Sequence, residues 1–531
     1  MAPFGIAAMA APPEGKDMRV LFLLLVLLAA PSVGLANSNF TRTNPPGPHA
    51  VGLKVVEQYD FSRAYRGLTD VATGKVVTGE RARPIQTFVW YPAANTAKPT
   101  MTVADYLKIG ASDDDFEHTP AERAALEAAF AQQRTGALSP QRAKAELAAP
   151  MQAHRDAAAV SGKFPVVIYA PSFSAWAFEN ADLCEYLASQ GYVVIASPSL
   201  GQAQRDMATD LEGLETQAGD IEFLIGYAHG LPQADTNRLA VIGYSWGGLA
   251  NVLAAAKDSR IDALVALDGS VRYWPQLLKQ AAYATQARAT APLLFIAARP
   301  REIEDLAEGR NEVTSPLNHM KYADVYRVTL APMVHENFSV MFGQRLLGDS
   351  RYREYDKDEL STATAWMEAY VRRFLDAYLK GDAASRTFLD LPAAKSGAPA
   401  HLLTTHVTHS QGAPPTRAAF AAELARQGFG KASSVYQAFK AREPDFTLSD
   451  DELVSWAYQR MGDGDVGAAV ALLRLDTEIH ADSWNAFDSL GEAYAKNGDK
   501  APAIAAYRQS LVLNPKNTNG VEQLRALGVQ P

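Results

Sequence analysis

Residues 239–249 read Leu-Ala-Val-Ile-Gly-Tyr-Ser-Trp-Gly-Gly-Leu, and the small, helix-prone run Leu249–Ala256 follows. An apolar strand that enters Gly-x-Ser-x-Gly and leaves as a helix has one low-energy solution, a sharp strand-to-helix turn with the serine at its tip. The hydroxyl of Ser245 is then lifted off the sheet. Gly243 and Gly247 keep the turn free of side chains that would strike its neighbours. The dipole and unpaired N–H groups of the following helix point toward the reacting oxygen. A parallel sheet must supply the strand, so this hexapeptide constrains the architecture more than any other feature of the chain.

Composition sets the outer bounds. With 531 residues, 48% of them apolar, the chain can bury cores for two or three domains. The net charge of −9 comes without a basic patch and speaks against nucleic acid as a partner. Cys184 is the only cysteine, which excludes an intrachain disulfide and a cysteine-based metal site. Near the N-terminus, Lys16 and Arg19 flank Met18, Val20–Ala30 is almost wholly apolar, and Gly34-Leu35-Ala36 precedes Asn37. This order predicts a cleavable export signal over residues 1–36, with Met18 as an alternative start and an uncleaved anchor as the competing reading. The apolar run falls short of the roughly 20 residues of a membrane span. The mature protein is expected outside the cytoplasm, secreted or periplasmic.

Residues 37–50 are polar and proline-rich and read as a flexible lead-in. Gly52–Tyr59 and Pro84–Tyr91 read as strands. Residues 102–160, rich in Ala, Glu, Arg and Gln, read as a helical insertion that either covers the site or decorates a remote surface. From Phe164 onward, strands are expected at 165–170, 192–198, 238–244, 261–267, 292–298 and 326–330. Helices are expected at 178–190, 208–229, 247–257, 273–287, 303–309 and 361–380. Together with the turn at Ser245, this alternation implies an α/β-hydrolase fold with a mostly parallel central sheet over residues 50–381. Residues 382–448 read as linker or stay unassigned, with linkers at Gly412–Pro415 and Arg442–Asp445 and one more strand conceivable within 389–408.

Residues 456–481 and 490–515 align at an offset of 34, placing Gly464 on Gly498, Asp465 on Asp499, Ala469 on Ala503 and Leu473 on Tyr507. The second copy carries Leu490-Gly491, Tyr494, Ala503, Tyr507 and Pro515 and resembles the tetratricopeptide helix–turn–helix. Gly491 and Ala503 would let paired helices approach, with Tyr494 and Tyr507 filling the seam. Residues 449–531 are therefore expected to form a small all-α domain, capped by a helix at 521–527 and docked on the hydrolase domain. Its role is packing, dimerisation or protein contact.

A serine hydroxyl needs a base, and the base needs a carboxylate, in the chain order Ser…Asp/Glu…His for this fold. Asp268 ends the run Ile261–Leu267 at a strand tip, before Gly269. Glu302, Glu304 and Asp305 are rivals that follow the next strand, in a charged helix-like stretch. His335 lies in the loop after strand 326–330, where the base is required. His319 precedes that strand. His401, His406 and His409 fall in the linker, without an acidic or cysteine neighbour in sequence to make a metal site. One oxyanion donor is expected from the N–H of Trp246 and the other from Phe173 N–H, in the loop after 165–170. Phe173, Trp176 and Trp246 would wall an acyl pocket or else pack in the core.

Val89-Trp-Tyr-Pro92, the loop after 165–170, Gly243–Gly247, Leu267-Asp268 and Val334-His-Glu-Asn-Phe338 occur in the order seen in platelet-activating-factor acetylhydrolases and their dienelactone-hydrolase-like bacterial relatives. The chain resembles that group over residues 50–380. The resemblance implies a serine hydrolase of carboxylic esters, with the acid at Asp268 rather than on the next strand. The group usually carries His-Gly after the third strand, and Pro171-Ser172 stands here instead. The expected substrate is a small ester or a lipid, with no cofactor and no metal. A peptidase or amidase on the same residues, and a scaffold acting through the repeats, are the alternatives.

Overall fold

The computed structural model describes residues 38, 40–69, 74–272, 274–299, 317, 320–347 and 355–531. The expected signal at 1–36, the helix at 303–309, and Glu302, Glu304, Asp305 and His319 lie outside them. Ten strands form one sheet: β1 (Ala50–Ala64), β2 (Ala82–Ala93), β3 (Ala153–Arg155), β4 (Phe164–Ala170), β5 (Val193–Ala196), β6 (Ala234–Tyr244), β7 (Ala263–Leu267), β8 (Leu293–Ala298), β9 (Val325–Leu330) and β10 (Leu403–Thr408). Their order is β10-β9-β8-β7-β6-β4-β5-β2-β1-β3. The six strands from β5 to β9 run parallel, while β2 and β10 pair antiparallel to β5 and β9.

The central strands are apolar throughout because both faces are covered. Alternate residues divide between two layers, as a period of two dictates. Tyr169, Ile242, Leu267 and Val328 face one core, shared with α4 (Ala181–Ser189) and α8 (Lys357–Leu379). Ile168, Val241, Ala266 and Phe295 face the other, shared with α5 (Leu211–Ala228) and α6 (Gly247–Lys257). The predicted helix 273–287 is shorter than expected. Only α7 (Pro275–Gln280) is helical, and a series of turns follows in which Tyr283 Oη donates to Glu215 at 2.5 Å.

The insertion holds α1 (Val103–Gly110), α2 (Pro120–Thr135) and α3 (Pro140–Leu147). Thr102 and Thr119 close capping boxes with Asp105 and Glu122, which explains where the first two begin. A buried polar chain anchors the insertion: Trp90 Nε1 donates to Tyr106 Oη (2.8 Å), and Tyr106 Oη donates to Glu185 (2.6 Å). Against the site, α1 and α2 press on the loop after β4. A Cβ on Gly110 would lie 2.2 Å from the Phe178 ring, and Phe130 packs on Trp176 at 5.0 Å.

Two readings need correction. The lead-in 40–49 is a strap rather than a flexible tail. Arg42 (3.0 Å) and Asn44 (3.0 Å) bond the buried Glu368 of α8, and Gly47 N–H donates to Ser189 Oγ (2.8 Å). A buried carboxylate demands such partners, and only the fold shows where it lies. Residues 382–448 are also built. They contain α9 (Ala383–Leu389), β10 on the sheet edge, and α10 (Arg417–Gln427) with α11 (Ala432–Arg442). Phe420, Leu424, Tyr436 and Phe439 from this pair share one core with Leu453, Leu472 and Leu490, so the helical region begins well before residue 449.

The remaining helices are α12 (Asp450–Gly462), α13 (Val466–Ile479), α14 (Trp484–Asn497), α15 (Lys500–Leu513) and α16 (Thr518–Ala526). A Cβ on Gly491 would lie 2.8 Å from the Tyr507 ring, so this pair can approach closely only without a side chain there. Tyr322 Oη donates to Glu443 (3.2 Å) between the sheet domain and this region. Asp476 of α13 is fully buried. Burial, then the neighbouring Asp450 and the charge of Asp451, push its carboxyl up to about 8 against an ordinary 3.8. His480 Nε2 stands 3.9 Å away and donates to Leu448 O (2.9 Å).

A raised acid holds its proton when folded and releases it when unfolded. Asp476 therefore favours the unfolded state increasingly as pH rises from about 4 to about 8. Protection of the α13 amides against hydrogen exchange, taken relative to free-peptide rates at each pH, is expected to fall over that range in the full chain. Asp476→Asn is expected to flatten the trend and to slow exchange at pH 8; an unchanged pH profile would remove Asp476 as its source.

Candidate active site

The turn after β6 is held from several sides. Ser245 N–H donates to Leu267 O at the end of β7 (3.0 Å), and Ser245 O accepts from Gly248 N–H (3.0 Å) and Ser270 N–H (2.7 Å). Ser245 sits at φ 52°, a left-handed conformation that a serine adopts only when its surroundings impose it. The glycines explain how. A Cβ on Gly243 would lie 2.1 Å from Gly247 O, and one on Gly247 would lie 2.1 Å from Ala170 O and 2.6 Å from Pro171 O. The turn is thus pressed directly against the loop that follows β4.

Three side chains meet above it. His335 Nε2 lies 2.8 Å from Ser245 Oγ, and His335 Nδ1 lies 2.6 Å from Asp268 Oδ2. Asp268 is fully buried at φ 42° beyond β7, and its other oxygen accepts from Ala298 N–H (2.9 Å) at the end of β8. The buried Arg272 guanidinium stands 4.0 Å from the same carboxylate. Held by these partners, the carboxylate orients the imidazole with Nδ1 protonated and Nε2 free to accept. His335 opens a short 3₁₀ turn, His335–Phe338, and Tyr244 Oη donates to His335 O (2.8 Å). Tyr244, the variable residue of the Ser245 motif, thereby ties the serine strand to the histidine loop.

The two residues expected to supply the donors touch through their rings. The rings of Phe173 and Trp246 meet edge to face at 5.6 Å, and among the described residues neither backbone N–H has an acceptor. The loop carrying Phe173 is pinned by Gln217 Nε2 to Pro171 O (2.7 Å), by Met207 N–H to Ser174 Oγ (2.9 Å), and by a bond from Ser199 Oγ to Ser172 O. Glu179 accepts from Ser172 N–H (2.7 Å) and Ser172 Oγ (2.5 Å). Burial pushes the Glu179 carboxyl up to about 7, with the Ser172 bonds and the His335 charge pulling the other way. Sequence inspection missed Glu179, whose only signal is an acid directly after the apolar run Ala175-Trp-Ala-Phe178.

The aromatic side chains separate. Phe173 is 38% exposed, Trp246 is buried between Phe173 and Trp274, and Trp176 is covered by Phe130, Phe342 and the guanidinium groups of Arg134 (4.1 Å) and Arg205 (4.7 Å). Phe173 is therefore the exposed face of this cluster. His401 and His406 stay apart from the site, while His409 lies 3.4 Å from Asp324 and 3.7 Å from Asp390, acidic neighbours that sequence distance had hidden. Among the described residues, no three His, Cys, Asp or Glu side chains gather as metal ligands.

The sequence has relatives among known proteins. Residues 151–315 match the dienelactone hydrolase family. That dienelactone hydrolase match spans Ser245 and Asp268 and ends before His335. A carboxymethylenebutenolidase-like relative from Methylorubrum extorquens is 29% identical over 141 residues, 23% of this chain and 48% of the relative. One from Yersinia pestis is 32% identical over 123 residues, 21% of this chain and 45% of the relative. The chain thus spans about half the length of these curated relatives. The chain is also similar to a ferulic acid esterase from Streptomyces cinnamoneus, at 18% identity and a TM-score of 0.47, covering 69% of this chain and 99% of that one. The molecule carries an α/β-hydrolase-like domain with a dienelactone-hydrolase-family segment, followed by a helical C-terminal region.

Proposed function

We propose that the chain is an exported serine hydrolase that cleaves small carboxylic esters through an acyl-enzyme. The observation that carries this is the continuous hydrogen-bond chain Ser245–His335–Asp268, set on a left-handed serine at the end of a parallel strand. The dienelactone hydrolase match supports an ester as substrate.

Ser245 Oγ attacks the ester carbonyl carbon while its proton passes to His335 Nε2. The oxyanion is received by the N–H groups of Trp246 and Phe173. The carbon–oxygen bond to the leaving group breaks as His335 returns the proton to it. Water then attacks the acyl carbon and gives a proton to His335, and the acid leaves as Ser245 Oγ regains its hydrogen. Asp268 holds the imidazole in the accepting tautomer throughout. Phe173 forms the exposed wall against which a short acyl group packs, while Trp176, expected to share that wall, is covered by Phe130 and Arg134 of the insertion. Residues 1–36 serve export, and the helical region, read as tetratricopeptide-like, offers a protein-contact or dimerisation surface.

A panel of p-nitrophenyl esters of increasing acyl length, a carboxymethylenebutenolide-type lactone, a short-acyl phospholipid and matched anilides tests this reading. Hydrolysis of at least one ester, anilides at least about 100-fold slower, and fluorophosphonate labelling mapped to Ser245 are expected. Labelling elsewhere, or none, would overturn the assignment; comparable anilide turnover would replace esterase by amidase.

A further inference from the structure

We infer that Glu179 is a positioning residue that holds the oxyanion-donor loop and the histidine loop in register with one another. The inference rests on the serine hydrolase reading above. Glu179 is 2% exposed and lies just before α4, at the junction of the two loops. Its side chain takes both hydrogens of Ser172, from N–H at 2.7 Å and Oγ at 2.5 Å, immediately before Phe173. Its backbone carbonyl takes Met341 N–H at 3.2 Å and Ser339 Oγ at 3.2 Å, in the segment that follows His335. The next residue completes the brace: Asn180 Oδ1 accepts from Val340 N–H (3.0 Å), and its Nδ2 donates to Tyr169 Oη of β4 (2.7 Å).

Two consecutive residues therefore bind five groups from the two loops that must meet Ser245, and they anchor on β4 through Tyr169. An acid buried in an apolar surround carries a desolvation cost that an apolar residue would avoid. Here its return is geometric. The Ser172 peptide is oriented by two bonds, which limits how the next N–H, that of Phe173, can turn. A donor displaced by less than 1 Å loses much of its stabilisation of a developing oxyanion while binding the neutral ester almost as well. The effect belongs on kcat rather than on KM.

Steady-state hydrolysis of the best p-nitrophenyl ester tests this with Glu179→Ala, Glu179→Gln and Ser245→Ala beside the wild type. Glu179→Ala is expected to lower kcat about 30-fold with KM within about threefold. Glu179→Gln keeps the length and both bonds, the amide donating to Ser172 Oγ, and is expected to hold kcat within about threefold. A Glu179→Ala kcat within twofold of wild type overturns the inference, as does a Gln variant as slow as the Ala variant. If Glu179→Ala does not fold, Ser172→Ala removes one of the two bonds. A kcat drop of about fivefold at unchanged KM is then expected, and no drop overturns the inference. Activity surviving in Ser245→Ala breaks the hydrolase reading itself; activity lost there but intact in Glu179→Ala breaks only this inference.

Discussion

Replacing Ser245 by alanine is expected to lower ester turnover by about 10⁴- to 10⁶-fold and to abolish fluorophosphonate labelling, while leaving the fold intact. The size follows from the division of labour. Once the hydroxyl is gone, no acyl-enzyme forms, and what remains is whatever water gains from bound substrate and from the donors at Trp246 and Phe173. The fold is expected to survive because the turn is held by its backbone, through Leu267 O, Ser270 N–H and Gly248 N–H, and alanine keeps all three bonds. The left-handed φ of 52° adds no more than about 1–2 kcal/mol of strain for one non-glycine residue, as it does for the serine. Thermal denaturation of the variant beside wild type, with burst and steady-state kinetics, checks both halves. Turnover within tenfold of wild type would remove Ser245 as nucleophile.

Asp268→Asn is expected to lower kcat by about 10⁴-fold with little change in KM. Asp268 Oδ2 lies 2.6 Å from His335 Nδ1, and Oδ1 is already held by Ala298 N–H at 2.9 Å. The backbone donor selects which way the asparagine turns. Its carbonyl oxygen takes the Ala298 bond, so its NH₂ group faces the imidazole. A donor there requires Nδ1 to accept, which places the hydrogen on Nε2, the atom that must take the serine proton. Geometry is preserved and the tautomer is wrong. The nearby Arg272 guanidinium, 4.0 Å from the original carboxylate, also loses its counter-charge. Stopped-flow acylation rates check this, since the defect should fall on formation of the acyl-enzyme. Near-normal acylation would move the acid role to another carboxylate.

The elements closest to the site were the most legible. The serine turn is a local structure, written in two glycines whose missing side chains admit the Gly247 and Pro171 carbonyls, so a six-residue window suffices to read it. Asp268 and His335 were picked out because strand ends follow from apolar runs, and the structure places both side chains within hydrogen-bonding distance in one chain from Ser245. The lead-in at 40–49 and the stretch 382–448 were misread for the opposite reason. Their order comes from distant partners, Glu368 for Arg42 and the core shared with Leu453 and Leu472 for Phe420 and Tyr436, while the strand expected within 389–408 is present as Leu403–Thr408. Trp176 was picked as an aromatic near the loop after β4, but nothing local could say that Arg134 from the insertion and Arg205 from the loop after β5 would cover it.

By itself, then, the sequence determined the class of sheet, the turn, and the chain order of serine, acid and base, because these depend on periodicity and on steric rules that act over a few residues. The tertiary structure decided which buried charges meet. Glu179 reaches Ser172, Arg272 approaches Asp268, and Asp476 crowds Asp450 across gaps in sequence that no local rule spans. A buried polar group is stable only with its partner, and the partner is known only once the chain has closed around both.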